Sequence, residues 1–305
     1  LQSDSAQKEI SKRTDSLPDA LFNIRIDEVK AEGIDVAGLL QSQNVASKKI
    51  VLNKPNIHII NTGNDTAKLY SSKDTLELYQ KILGKFESIR ADIIQINNGT
   101  VLITNIAGKP LATFENINIT LNNFLVDKKH SYQSIISYFI KDVRATVENI
   151  QLISLKNNTS TNIEHLEYNA INKTLSIEGI KQYKTNNFNP IIDLKKILLT
   201  GLSTDSFILA QQLRATSINC DGGFITINRI EKESENKNAS VLFTSSLIDG
   251  MQVGSAKIGK TNIVIINQSE PNKAPFVLND VEFDLTKSLK VSDQGTVNDL
   301  INNAQ

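Results

Sequence analysis

The sequence predicts a mainly β protein, with elongated, curved antiparallel sheets built from two related repeats and short helices packed on or capping the sheet. Three observations carry that expectation. Apolar residues alternate with polar ones over long stretches, the period-two signature of half-buried strands. Clusters of Asn, Lys, Gly and Thr break those stretches as turns do. And one segment of the chain recurs without gaps.

The first copy, residues 23–61, reads NIRIDEVKAEGIDVAGLLQSQNVASKKIVLNKPNIHIIN, and the second, residues 191–229, reads IIDLKKILLTGLSTDSFILAQQLRATSINCDGGFITINR. At one constant offset, Ile24 and Ile26 meet Ile192 and Leu194, Gly33 meets Gly201, Leu52 meets Cys220, and Ile57 and Ile59 meet Ile225 and Ile227. The faults coincide as well. The apolar phase slips between Ile26 and Val29, and again between Leu194 and Ile197. Since a strand's side chains have period two, a slip requires a bulge or bend, here expected near Asp27 and Lys195. A second slip falls at Asn53-Lys54-Pro55 in one copy and Asp221-Gly222-Gly223 in the other.

In chain order, each copy opens with a bent strand and continues into a short helix. Asp35 caps the first helix ahead of Val36, Leu39 and Leu40; Thr204 or Asp205 caps the second ahead of Phe207 and Ile208. Two strands follow. A linker then carries an amphipathic helix over Thr75–Phe86, whose Leu76, Tyr79, Leu83 and Phe86 share one face. Next come strands at Ala91–Ile96 and Thr100–Ile106, a turn at Gly108-Lys109-Pro110 and a long strand over Thr113–Val126. His130–Ile140 reads as either helix or strand. Strands near Thr146–Ser154, Asn162–Asn169 and Lys173–Gln182 complete the unit. A looser recurrence sets Ile93–Asn105 against Ser255–Asn267 and Phe114–Leu121 against Leu278–Leu285, with Ile117, Ile119 and Leu121 facing Val281, Phe283 and Leu285. The organisation read from this is a polar lead over 1–21, a first repeat over 22–190 and a second, incomplete repeat over 191–305. Such incompleteness leads to the expectation of a piece of a longer repetitive protein.

Composition narrows the function. Thirty-three basic against 33 acidic residues give zero net charge, which disfavours a nucleic-acid binder that tracks phosphates. No apolar run has the length of a membrane-spanning helix. A lone cysteine, Cys220, can form neither an intrachain disulfide nor a cysteine-based zinc cage, and its equivalence to Leu52 makes it a core thiol. No phosphate loop, nucleophile elbow, zinc-protease motif or calcium loop occurs. His58, between Ile57 and Ile59, points away from them into solvent; His130 and His165 have no second ligand at metal spacing. Asp27-Glu28 marks a bulge, and the acidic run at Glu231–Glu235 is a solvated loop. No catalytic, cofactor or metal residue is expected.

Several strands, such as Asn262–Ile266 and Ala91–Ile94, are apolar on both faces. Either helices cover one face or that face lines an apolar groove. The strand, then EGIDVAGLL, then KKIVLNKPNIHII, then IIQINNGTVLITNIAGKPLATFENINITL, resembles the AsmA-like superfamily of bacterial envelope proteins, relatives of the bridge-like lipid-transfer proteins. The resemblance covers residues 22–125 and, more loosely, 191–286. It implies a non-enzymatic periplasmic protein, anchored through an N-terminal segment outside this sequence, that serves envelope maintenance or lipid transport along an apolar β-groove. Acyl chains or envelope membranes are the implied partners, and Ile117, Ile119, Leu121, Val281, Phe283 and Leu285 the candidate groove lining. The alternative is a structural or protein-interaction module whose groove its own helices fill; a soluble hydrolase comes third.

Overall fold

The computed structural model describes residues 20–62, 84–127, 142–155, 158–184, 187–203, 206, 212–229, 250–267, 269–270, 272–286 and 289–292. The protein is mainly β, as its patterning predicts. It divides into two compact units, Leu1–Leu155 with Glu167–Ile171, and Lys156–Leu166 with Asn172–Gln305.

In the first unit β1 (Ala20–Glu32) leads into helix α1 (Val36–Ser42), followed by β2 (Asn44–Asn61), β3 (Ser88–Asn105), β4 (Pro110–Asp127) and β5 (Val143–Ser154), hydrogen-bonded in that order. Asp35 caps α1 as expected, its carboxylate accepting from Gly38 N–H at 2.9 Å. The turn at Gly108 is also as expected, with Gly108 N–H donating to the Asn105 carbonyl. In the second unit β6 (Thr159–Asn169), whose last residues from Glu167 count with the first unit, neighbours β7 (Thr174–Lys184), which pairs β8 (Ile192–Thr200). β8 pairs both β9 (Gln212–Cys220) and β10 (Gly223–Arg229). These flank β11 (Gly250–Asn267), which also pairs β12 (Phe276–Leu285) and β13 (Leu289–Ser292).

The sheets are mixed, where the sequence led us to expect antiparallel ones. β2 and β3 run parallel, as do β9 and β10 with β11. The reason is connectivity. A parallel neighbour needs a long crossover rather than a tight turn, and long linkers follow both Asn61 and Arg229. The helix expected at Thr75–Phe86 falls in the first of these; most of it, and all of His130–Ile140, lies outside the described residues. Gly84 and Lys85 form a turn. The Thr204 or Asp205 cap also lies outside, with Ser206 helical next to it.

A second correction concerns strand count. The pairs of strands expected on either side of Lys54 and of Asn97–Gly99 are single strands, β2 and β3, with a fault inside each. In the second unit the same fault does divide β9 from β10. Ladder pairing skips Asp27 with Lys54 in one unit and Lys195-Lys196 with Asp221-Gly222 in the other, at the places the phase slips mark. Lys54, Asn98, Asn116 and Asn149 take positive φ on four successive strands, so the fault crosses the sheet as a seam. At the matching places Asp280 repeats the Asn116 conformation and Gly222 also takes positive φ, and Gly33 and Gly201 share φ 63°.

The two units agree in register. Val29 pairs Leu52, which pairs Ile96, which pairs Ile119; their counterparts Ile197, Cys220, Ile258 and Phe283 pair in the same sequence. Asn56 sits opposite Thr100, and Phe224 opposite Asn262. The repeat is therefore a repeat of hydrogen-bond register as well as of hydrophobicity.

Candidate functional site

Directly paired residues of neighbouring strands share a face, so the ladders fix which side chains lie together. Four apolar rows cross the first unit. Phe22, Ile59, Ile103, Ala112 and Leu152 make one; Ile24, Ile57, Val101 and Phe114 the next. Beyond the seam, Val29, Leu52, Ile96, Ile119 and Ala145 follow, then Ala31, Ile50, Ile94, Leu121 and Val143. Because the seam inserts an extra residue, the side that was apolar before it stays apolar after it. Without the slip, half of each strand would turn its apolar set to the opposite side.

The second unit repeats the pattern. Ile177, Ile197, Cys220, Ile258 and Phe283 form one row, and Leu175, Leu199, Ile218, Ala256 and Leu285 another. Ile192, Ile225, Ile263 and Leu278 form a third across the seam. Ile119, Leu121, Phe283 and Leu285 thus stand in continuous apolar rows. Ile117 and Val281 stand at the seam itself, opposite Gly99 and Thr261. A Cβ on Gly99 would meet both Pro55 and Ile117, which places those two on the same side.

Burial grades across the apolar face within each unit. On β1, Phe22 is 43% exposed, Ile24 46% and Val29 58%, while Ile150 and Val143 of β5 are buried. On β12, Phe276 is 61% and Phe283 45% exposed, while Leu199 and Cys220 are buried. Cys220 is a free, buried thiol, as its equivalence to Leu52 predicts.

The opposite face of the first unit is polar along the seam. Asn53 donates to Glu28 at 2.6 Å and accepts from Asn97 at 2.9 Å, a ladder over three strands. The lysine Lys30 at 3.0 Å, together with Asn53, holds the Glu28 carboxyl below the usual carboxylate range. Next to this ladder an open depression of about 760 Å³ lies over β1–β4. Asn23, Arg25 and Asp27 line it from β1, Lys54, Asn56 and His58 from β2, Asn98, Thr100 and Leu102 from β3, and Asn116 from β4. His58 does point away from Ile57 and Ile59, but it is half-buried and hydrogen-bonded to Thr104 Oγ1 at 3.0 Å, not simply solvated.

His165 is half-buried on β6, and Glu164 beside it binds Lys181 at 3.2 Å, so that carboxylate serves an ion pair. His130 and Glu231–Glu235 lie outside the described residues. Among the described residues no three His, Cys, Asp or Glu side chains group as metal ligands, and no helix is long and apolar enough to cross a membrane. The depression escaped sequence reasoning because its residues come from four strands. The available signal was the concentration of Arg25, Asn53, Lys54 and Asn56 at the slip points of the first segment. No protein-family model, curated protein or solved structure matches this chain.

Proposed function

We propose that the apolar face binds lipid acyl chains, in an AsmA-like, non-enzymatic protein of the bacterial periplasm that supports envelope maintenance or lipid movement. The observation that carries the reading is the set of apolar rows held in matching register in both units, with Phe22, Ile24, Phe276 and Phe283 more than a third exposed. Acyl chains laid against Ile, Leu, Val and Phe gain about 0.8 kcal/mol per CH₂ removed from water. Nothing in such a face requires chemistry; the affinity comes from area alone. The resemblance of residues 22–125 to AsmA-like segments supplies the envelope setting.

Burial of Ile150, Leu199 and Cys220 on this same face favours a second reading, in which the chain itself closes over the rows. Uptake of a fluorescent fatty-acid probe separates the two. Phe283→Asp, at an exposed position, should lower uptake while leaving the fold intact. Thr120→Asp should leave uptake unchanged, because Thr120 alternates with Ile119 and pairs Gln95 and Arg144 on the other side. Asn118, the nearer neighbour, is unsuited as a control: its Oδ1 accepts Asn98 N–H at 3.0 Å across the seam. A parent protein that takes up no probe, with Ile119→Asp merely unfolding it, would decide for the closed module.

A further inference from the structure

The seam depression of the first unit has no use in the acyl-chain reading, and its lining differs in kind from the apolar rows. Arg25 and Lys54 bring two cations to it against one carboxylate, Asp27, which sits 3.6 Å from Arg25 Nε. Asn56, Asn98 and Thr100 add amide and hydroxyl donors. The left-handed backbone at Lys54 and Asn98 sets these donors side by side on adjacent strands. The Lys54, Asn56 and Thr100 side chains make no hydrogen bond or ion pair within the described residues.

The second unit serves as an internal control. It keeps the seam, yet the positions of Arg25, Lys54 and Asn56 hold Asp193, Gly222 and Phe224, and its own cations, Lys195 and Lys260, stand instead at the places of Asp27 and Asn98. The fold therefore does not require the donors. A cluster of this kind, cationic and rich in N–H and O–H groups, is the arrangement that binds phosphate oxygens, through charge-assisted hydrogen bonds.

We propose that this depression binds an anionic phosphate group, with Arg25 and Lys54 supplying charge and Asn56, Asn98 and Thr100 supplying hydrogen bonds. The inference stands apart from the acyl-chain reading, since the depression and the apolar rows lie on opposite sides of the same strands. The same chemistry serves a lipid headgroup or a soluble phosphate ester.

The test uses the full chain and two probes: phosphatidylcholine vesicles with and without phosphatidic acid, and soluble glycerol 3-phosphate. Binding that requires phosphatidic acid should fall about tenfold or more in Arg25→Gln/Lys54→Gln. It should change by less than about twofold in Lys195→Gln/Lys260→Gln, which removes the same charge from the second unit's seam. Arg25→Lys, which keeps the charge, should retain much of the binding and guards against a folding artefact. Competition by glycerol 3-phosphate would assign a soluble ester, and vesicle binding without competition a membrane headgroup. Either source supports the site. Absence of binding to both probes, or equal loss in the two double variants, would overturn it.

Discussion

The two repeats share a backbone and differ in what they display, and the difference separates what the fold needs from what it carries. Pairing register, the seam, the apolar rows and the left-handed pair Gly33 and Gly201 recur. The polar side does not. His58 with Thr104 in the first unit becomes Thr226 and Ile266 in the second, and Asn56 becomes Phe224. Even the hydrogen bond that ties the seam of β3 to β4 is rebuilt from other atoms. Asn118 accepts from Asn98 N–H in the first unit, whereas Asn262 accepts from Asp280 N–H in the second. The apolar face and the seam specify the architecture, leaving the polar face free to vary.

The comparison is open to attack most strongly at Gly222. Its φ of 91° and the backbone of Lys260, which any Cβ would strike, exclude a side chain, whereas Lys54 takes the matching place with φ 49° and a side chain in the open. Gly222→Ala should cost about 2–4 kcal/mol in chemical denaturation, and Lys54→Gly no more than about 1 kcal/mol. Equal costs would mean that Gly222 has room for a side chain as Lys54 does.

Next in size is the pair Ile119 and Phe283. Ile119→Asp, at a half-buried position, should destabilise by several kcal/mol; Phe283→Asp, 45% exposed on β12, should cost about 1 kcal/mol or less. Thermal melts of the two variants check this. A smaller effect is expected at Thr104→Ile, which imports the second repeat's residue and leaves His58 without its partner; the loss should be about 1 kcal/mol.

Thiol chemistry sharpens the comparison without disturbing it. Buried Cys220 should react slowly with a thiol reagent until the protein unfolds, while Leu52→Cys, on a half-buried row position, should label faster in native buffer. The smallest effect concerns acid. Lys196, 2.7 Å away, holds the Glu178 carboxyl below its ordinary range. A depressed folded-state pKa gives stability that is present above the ordinary carboxylate range and lost as pH falls through the folded value. Glu178→Gln should therefore narrow the drop in melting temperature between neutral and acid pH, though only slightly, because the pair is solvent-exposed.

Much of this fold was legible in the sequence because apolar phase and turn residues act locally. The slips at Asp27 and Lys195, the Asp35 cap and the Gly108 turn all follow from neighbours a few positions apart. Parallel pairing of β2 with β3 was not legible from phase, since period two is the same in either direction. The long linker between Asn61 and Ser88 was the missed clue. Continuity was misread too: a left-handed Asn or Lys can bend a strand without ending it, so β2 and β3 looked like two strands each. Of the candidate site, the six positions expected to line a groove could be named from the aligned segments. The depression could not, because cross-strand neighbours are set by register.

The central claim, that the apolar rows hold acyl chains, is tested most directly by native mass spectrometry of the freshly purified protein beside Phe283→Asp. The expected result is lipid-mass adducts on the parent that diminish in the variant, with both proteins folded. A parent that flies bare, and stays bare after incubation with fatty acid or phospholipid, would contradict it.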